Sequence, residues 1–175
     1  IETIDLPFKE KKFDCILYAD VLEHLIDPLA VLKKTRKFLR TNGTIIASIP
    51  NVQYLGLVSQ LVEGNWTYQD EGILDRTHLR FFTYDEIVKL FDEAGYRISS
   101  INETLDPQYQ DAKTQTTTLN IGRLSIRDLS PDEVKRFFVY QYKITATLKN
   151  VACDKKYFTD IKENNMKGVL AEGKS

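Results

Sequence analysis

The stretch "FDCILYADVLEHLIDPLAVLKKTRKFLRTNGTIIASIPN", residues 13 to 51, decides the fold class. Its first part, Phe13 to Tyr18, is an apolar run typical of a buried strand. Asp27 and Pro28 follow as a capping residue and a first helical residue, and they predict a helix to about Arg40, ended by Asn42-Gly43. A second apolar run, Thr44 to Ile49, predicts a second buried strand. This order of elements predicts an α/β sheet that is largely parallel at its start.

The rest of the chain continues the alternation of helices and strands. Capping boxes begin at Thr83 and Ser130, and each predicts the start of a helix. The predicted elements are helices over 52–62, from Thr83 to Gly95 and after Ser130, strands over 96–101 and 140–148, and a polar loop over 102–118. In such sheets ligands bind beyond the carboxyl ends of the strands. We therefore expect a site among Ala19 to His24, Pro50 to Tyr54 and the connection 65–82.

Composition excludes several classes of protein. The chain has 175 residues, of which 42% are hydrophobic and 28% charged, and this balance is typical of one globular domain. Lys plus Arg number 24 against 25 for Asp plus Glu, so the net charge of -1 gives no general attraction to nucleic acid or to anionic membranes. The basic residues between Lys33 and Arg40 are interpreted as a solvated helix face. No apolar run approaches the ~20 residues that a membrane-spanning helix needs.

The cysteines and histidines are few and widely spaced. Cys15 lies in the first apolar run and is interpreted as a small core residue, while Cys153 lies far from it in sequence. Two cysteines and two histidines without metal-ligand spacing predict no metal site. The low cysteine content favours a reducing, cytoplasmic location over a disulfide-linked scaffold.

Two segments carry a resemblance to a known family. "DLPFKEKKFDCILYADVLEHLIDPLAVLKKTRKFLRTNGTIIASIPN", residues 5 to 51, resembles the second half of class I S-adenosylmethionine-dependent methyltransferases. The later "GNW…GILDRTHLRFFTYDEIVKLFDEAGY" resembles a bacterial subgroup associated with sugar and cell-envelope biosynthesis. The resemblance covers residues 1–149 and leaves 150–175 as a weakly structured tail. It implies a partial Rossmann-like sheet, strands four to seven with flanking helices, whose last strand is antiparallel.

The chain departs from that family in two respects. The glycine-rich cofactor loop and the acidic residue that binds the ribose are missing, since the eight glycines are scattered and strands one to three have no counterpart. The chain thus resembles about half of a methyltransferase. Phe13 to Tyr18 would then be an apolar sheet edge, which predicts a homodimer, a strand swap or a partial rearrangement. The last strand also has a polar face, from Gln141 to Thr147, so that either this face is open or the strand lies near an edge.

The resemblance implies a set of cofactor contacts. Ile1 and Glu2 occupy the position of the adenine-contacting stretch, and the alternative is a frayed terminus. Ala19 and Asp20 follow strand four, where the amino-acid end of the cofactor packs, while Asp20 could instead start a turn. His24 lies near the cofactor in the family, and the alternative is a histidine that orients the start of the helix.

A candidate catalytic group lies in "GILDRTHLRFFT", residues 72 to 83. His78 is suited to remove a proton from a hydroxyl acceptor, with Asp75 orienting it and Arg76 or Arg80 holding an anionic group. The alternative is that these side chains only pin a long connection. Leu79, Phe81 and Phe82 are expected to anchor the segment on the core, which leaves Asp75, His78 and Arg80 as the part that could face a pocket. Trp66, Tyr68 and Tyr54 could line an acceptor pocket or pack in the core.

Three functional hypotheses follow. The first is methyl transfer from S-adenosylmethionine to an oxygen of a small molecule or glycan precursor, which leaves S-adenosylhomocysteine. The second is a non-catalytic domain that acts as a scaffold or assembly module. The third, another nucleotide-binding α/β enzyme such as an oxidoreductase, is disfavoured because no glycine fingerprint is present.

Overall fold

The computed structural model describes residue 8 and residues 12–109 and 117–149. The first described unit is a strand, a helix and a strand: β1 (Phe13–Ala19), α1 (Pro28–Thr35) and β2 (Leu39–Pro50). The α1 helix begins as predicted, because Asp27 caps it by accepting a hydrogen bond from the backbone of Ala30 at 2.8 Å, with Pro28 at the first position. β1 and β2 pair in parallel over Cys15–Ala19 and Thr44–Ser48.

The remaining elements complete one four-stranded sheet and a small hairpin. They are α2 (Leu55–Val62), α3 (Tyr84–Glu93), β3 (Tyr96–Leu105), β4 (Leu119–Ile121), β5 (Leu124–Ile126), α4 (Pro131–Arg136) and β6 (Val139–Leu148). The sheet order is β1-β2-β6-β3, and β6 runs antiparallel to both of its neighbours. The α/β class and the antiparallel last strand are confirmed. Among the described residues, no helix is long and apolar enough to cross a membrane.

One face of the sheet carries the main hydrophobic core. Helices α1 and α3 cover this face, and Leu32, Phe91, Tyr96, Tyr142 and Ile144 are among its fully buried side chains. The burial of these apolar groups is the main stabilising contribution to the fold. A second cluster joins α4 and the β4–β5 hairpin to α2.

The other face of the sheet is exposed at β1 and β2, and it corrects one prediction. Leu17 is 63% exposed and Ile46 is 41% exposed. Cys15 points to the same side as Leu17 and is exposed, so its interpretation as a core residue is wrong. β6 lies between β2 and β3, so its polar face is explained by an open sheet face and not by an edge position.

Three predicted boundaries are also wrong. The α1 helix ends at Thr35 and is followed by a 3₁₀ turn over Arg36–Phe38, after which Leu39 already pairs with Phe13. Asn42-Gly43 therefore lies within β2 and ends no helix. β3 extends to Leu105 because it pairs with β6 as far as Val139. Residues 102–105, which were predicted to be loop, are therefore part of this strand. Strand pairing overrides local propensity at Leu39 and at residues 102–105, whereas Asn42-Gly43 lies in a register shift between β1 and β2. The tail 150–175 lies outside the described residues.

Candidate functional site

The carboxyl ends of β1 and β2 meet at Asp20. This residue has a φ of +50°, in the left-handed region that few residues other than glycine adopt. Its backbone N–H donates to Ser48 Oγ at 2.9 Å, while its Oδ1 accepts from Ser48 Oγ at 3.0 Å and from Gln141 Nε2 at 2.7 Å. Side chains from two neighbouring strands, β2 and β6, thus hold the carboxylate of Asp20 in place. Ala19 and Asp20 are exposed there, at the edge where the resemblance placed cofactor contacts.

A short 3₁₀ turn, Leu22–His24, follows Asp20 and is bound to the connection 65–82. The backbone carbonyl of Glu23 accepts hydrogen bonds from the N–H groups of Leu79 at 2.8 Å and Arg80 at 2.9 Å. Arg80 also donates from its guanidinium to the carbonyl of Ile26. The turn after β1 and the connection after α2 are therefore held together by backbone groups.

Two of the predicted catalytic residues are used to shape this connection. Asp75 Oδ1 accepts from the N–H of Thr77 at 2.7 Å and from its hydroxyl at 2.5 Å, and these hydrogen bonds lower the pKa of Asp75. Arg80 is bound to the main chain, as described above. These contacts correspond to the alternative in which the side chains pin the connection. Leu79 is exposed and Phe82 is buried, so the predicted core anchoring is wrong for Leu79.

The two histidines lie against each other although they are far apart in sequence. Their ring centroids are 4.6 Å apart. His24 Nδ1 lies 3.2 Å from the carbonyl oxygen of Thr77, and His78 Nδ1 lies 2.9 Å from that of Ile73. A carbonyl oxygen only accepts hydrogen bonds, so each Nδ1 donates a proton, and in the tautomer that this geometry selects the lone pair lies on Nε2.

Glu23 is the third titratable residue of this cluster. Its side chain is 1% exposed, and among the residues that the structure describes neither carboxylate oxygen has a hydrogen-bond partner. His78 Nε2 lies 4.0 Å from Oε1. Burial raises the pKa of Glu23 to about 7, and the negative charge of Asp20 adds to this shift. One ligand atom each from Glu23, His24 and His78 lie within 4.8 Å of one another.

Comparison with known proteins now assigns the family. A family model described as "Methyltransferase domain" matches residues 2–101, which include β1, the histidine cluster and α3. The chain belongs to this methyltransferase family. The resemblance to S-adenosylmethionine-dependent methyltransferases is thereby confirmed, and with it the cofactor of the family.

The individual relatives of this methyltransferase domain share 25–30% of their residues with it. A ubiquinone biosynthesis O-methyltransferase from Cereibacter sphaeroides is 30% identical over 126 residues, which make up 71% of this chain and 47% of that protein. An uncharacterized protein from Methanocaldococcus jannaschii is 25% identical over 103 residues, 58% of this chain and 46% of that protein. The chain spans about half the length of the curated relatives it matches.

A solved structure supports the same fold. A Thermotoga maritima S-adenosylmethionine-dependent methyltransferase, described as a possible histamine N-methyltransferase, is similar with a TM-score of 0.52 and 17% identity. The match covers 83% of this chain and 60% of that chain. At this identity the likeness shows the fold and says nothing about the acceptor.

The methyltransferase domain also has an open cleft beside the histidine cluster. Its volume is about 290 Å³, and its lining includes Tyr54, Tyr140, Gln60, Gln69 and Ile73. The rings of Tyr54 and Tyr140 pack edge to face with centroids 5.4 Å apart. The carbonyl of Ile73 accepts the hydrogen bond from His78, so one residue contacts both the cleft and the cluster. Of the aromatic residues predicted to line an acceptor pocket, Tyr54 lines this cleft.

Sequence reasoning found part of this site. Asp20, His24, His78 and Asp75 lie in the region where the turn after β1 meets the connection, whereas Ile1 and Glu2 lie outside the described residues. The residue that it missed is Glu23. A glutamate beside a histidine in a turn has no local signal of burial, because the cover over it comes from the distant connection.

Proposed function

We propose that this chain forms part of an enzyme that transfers a methyl group from S-adenosylmethionine to a hydroxyl oxygen of a small molecule or glycan precursor. The observation that carries the proposal is the cluster of Glu23, His24 and His78 beside the carboxyl end of β1. It offers two imidazole nitrogens with free lone pairs next to a buried carboxyl group. Such a cluster can take the proton that a hydroxyl acceptor must lose.

The chemistry explains why both positioning and a proton acceptor are needed. Transfer of a methyl group from a sulfonium is an in-line displacement, in which the S–CH₃ bond breaks as the O–CH₃ bond forms. Correct alignment of donor and acceptor supplies a large part of the rate. The acceptor's proton has to leave as its oxygen becomes an ether, and removal by a positioned base contributes typically 10²–10⁴-fold.

In this proposal, the site residues have distinct roles. Ala19 and Asp20 contact the amino-acid end of the cofactor, and the strained backbone at Asp20 supports this role, since such strain concentrates at functional sites. Ile1 and Glu2 remain predicted adenine contacts. His24 is partly exposed and meets the acceptor, whereas His78 is only 9% exposed and acts from behind it. Asp75 and Arg80 hold the connection that carries His78.

The acceptor class is inferred from two observations. The relative from Cereibacter sphaeroides is named for O-methylation in ubiquinone biosynthesis, which favours a hydroxyl group as the methylated atom. The cleft beside Ile73 is lined by two tyrosine rings and two glutamine side chains, which suit a flat or sugar-like acceptor with polar substituents. We place the enzyme in the cytoplasm, as the low cysteine content predicts.

The test uses the complete gene product. Calorimetric titration with S-adenosylhomocysteine should show binding, and Asp20→Asn should weaken it about tenfold through loss of a charge-assisted contact. Formation of S-adenosylhomocysteine with catechol and sugar acceptors should fall about 10²-fold in His24→Asn, while cofactor affinity changes less than in Asp20→Asn. The exposed Asn65→Ala serves as the control. Absence of cofactor binding would favour the scaffold hypothesis instead.

A further inference from the structure

We propose that Glu23, His24 and His78 form a binding site for one divalent first-row transition-metal ion, with Zn²⁺ as the reference ion. The site would use the Nε2 atoms of the two histidines and a carboxylate oxygen of Glu23. The inference rests on the geometry of the described residues and does not depend on the methyl-transfer proposal. It revises the prediction, made from sequence spacing alone, that the chain has no metal site.

The kind of donor atom selects the class of ion. Two imidazole nitrogens and one carboxylate oxygen suit Zn²⁺ and its first-row neighbours, whereas Mg²⁺ and Ca²⁺ prefer sites made of oxygen atoms alone. Three protein ligands with a fourth position left for water or substrate is the usual plan of catalytic zinc sites. His24 is partly exposed, so that fourth position can be reached from solvent.

Both histidines are already oriented as metal ligands are. A ligating histidine usually donates its other ring N–H to a backbone carbonyl or carboxylate, which sets the tautomer and the ring orientation. His78 does this to Ile73 at 2.9 Å, and His24 does this to Thr77 at 3.2 Å. Asp75 in turn binds the hydroxyl and N–H of Thr77, which holds the partner of His24 in position.

Glu23 is the observation that points independently to a ligand. A buried carboxyl group normally forms hydrogen bonds, because burying it without partners costs roughly several kcal/mol of folding free energy. Among the described residues, neither oxygen of this 1%-exposed side chain has a hydrogen-bond partner. A cation bound between Glu23 and the two histidines would compensate this cost.

An ion would require the ligand atoms to move closer together. A tetrahedral site with bonds of about 2.1 Å places its ligand atoms ~3.4 Å apart. His78 Nε2 and Glu23 Oε1 are 4.0 Å apart and need to approach by about 0.6 Å, and since the three ligand atoms lie within 4.8 Å of one another, no pair needs to approach by more than about 1.4 Å. The turn and the connection are joined at Glu23 by two backbone hydrogen bonds, so the two segments that carry the ligands are tied together.

The ion would add Lewis-acid chemistry to the cluster. A bound Zn²⁺ lowers the pKa of an oxygen ligand such as water to about 7. A hydroxyl acceptor at the open position would lose its proton to solvent in the same way, and the ion would then replace the two histidines, whose Nε2 atoms it occupies, as the group that promotes this loss. The proposed methyl transfer would then depend on metal, but metal binding itself is measurable without any acceptor.

The experiment measures binding by the chain of 175 residues, with no polyhistidine tag and with both cysteines changed to serine. Chelator-treated protein is titrated with Zn²⁺ against a chromophoric chelator. We expect one ion per chain and at least about 100-fold weaker binding in Glu23→Gln, since even loss of a group that only orients a ligand costs about 10–100-fold. Glu71→Gln, an exposed glutamate in the same connection, is the matched control and should bind as the parent does.

A second readout identifies the ligands. Co²⁺ bound in place of Zn²⁺ should give the visible absorption of a four-coordinate nitrogen and oxygen site, and His24→Asn and His78→Asn should each abolish it. Circular dichroism checks that every variant is folded. His24 is partly exposed, so its variant stays informative if a buried variant does not fold. The proposal is overturned if the parent chain binds no stoichiometric ion, or if binding survives both Glu23→Gln and His24→Asn. Metal binding without methyl transfer would leave this site established and reject only the proposed function.

Discussion

The first prediction concerns Asn51, which joins three parts of the chain at the carboxyl end of β2. Its side chain is 0% exposed. Nδ2 donates to the carbonyl oxygens of Arg136 at 2.9 Å and Val139 at 2.8 Å, and Oδ1 accepts from the N–H of Gln53 at 3.0 Å. Its backbone also forms a bridge with Phe82, where the connection ends. Asn51 thus fixes α4, β6 and the connection relative to β2.

We expect Asn51→Ala to lower the free energy of unfolding by about 3 to 4 kcal/mol. The substitution removes three hydrogen bonds and leaves three main-chain groups without their partner, each at a cost of about 1 kcal/mol or more. A loss of this size is a large part of the roughly 5–15 kcal/mol that stabilises a domain. Asn51→Asp should be at least as unstable at neutral pH, because a carboxylate oxygen would face two carbonyl oxygens. Its deficit should shrink as acid protonates the carboxyl group.

Urea unfolding followed by far-ultraviolet circular dichroism measures these differences, with m-values compared to check two-state behaviour. Asn65→Ala, at an exposed site, should change the free energy of unfolding by less than about 0.5 kcal/mol. A loss below about 1 kcal/mol in Asn51→Ala would refute the reasoning, because it would mean that the buried main-chain groups find other partners.

Three further predictions concern single groups. Burial raises the pKa of Glu23 to about 7, so the folded state keeps a proton that the unfolded state loses. In chelator-treated protein the free energy of unfolding should therefore fall by on the order of 3 kcal/mol as the pH rises from about 4.5 to about 7. Urea titrations at several pH values should show this fall in the parent chain and not in Glu23→Gln. The hydroxyl of Tyr142 is buried and, among the described residues, has no hydrogen-bond partner. Tyr142→Phe should therefore raise the free energy of unfolding by about 1 kcal/mol and the melting temperature by a few degrees. A lower melting temperature would contradict this prediction. β1 is an edge strand of the described sheet, so the predicted homodimer through Phe13 to Tyr18 can be tested. Light scattering should show the wild-type chain as a dimer and Leu17→Lys, changed at an exposed residue of β1, as a monomer. A wild-type monomer at high concentration would reject the interface.

The sequence by itself determined those elements whose signals are local. The capping box at Ser130 forms with both of its hydrogen bonds, and α4 begins at the next residue. Thr83 caps α3 through the backbone of Glu86, and Gly95 ends it with a φ of +82°. The apolar runs of β1 and β2 and the alternating pattern of β6 likewise specify strands, because backbone preference and side-chain periodicity act within a few residues.

Only the tertiary structure decided which residues are covered and which residues meet. Cys15 and Ile16 lie in one apolar run, yet Cys15 is exposed because it points to the uncovered face of the sheet. Leu39 begins β2 although the local pattern extends the helix, because it pairs with Phe13 of β1, and residues 40–43 follow in a register shift before Thr44 pairs with Cys15. Glu23 is buried, and His24 meets His78, because the connection after α2 folds back over the turn after β1. Contacts between segments so distant in sequence depend on the packing of the whole sheet, and no local pattern encodes them.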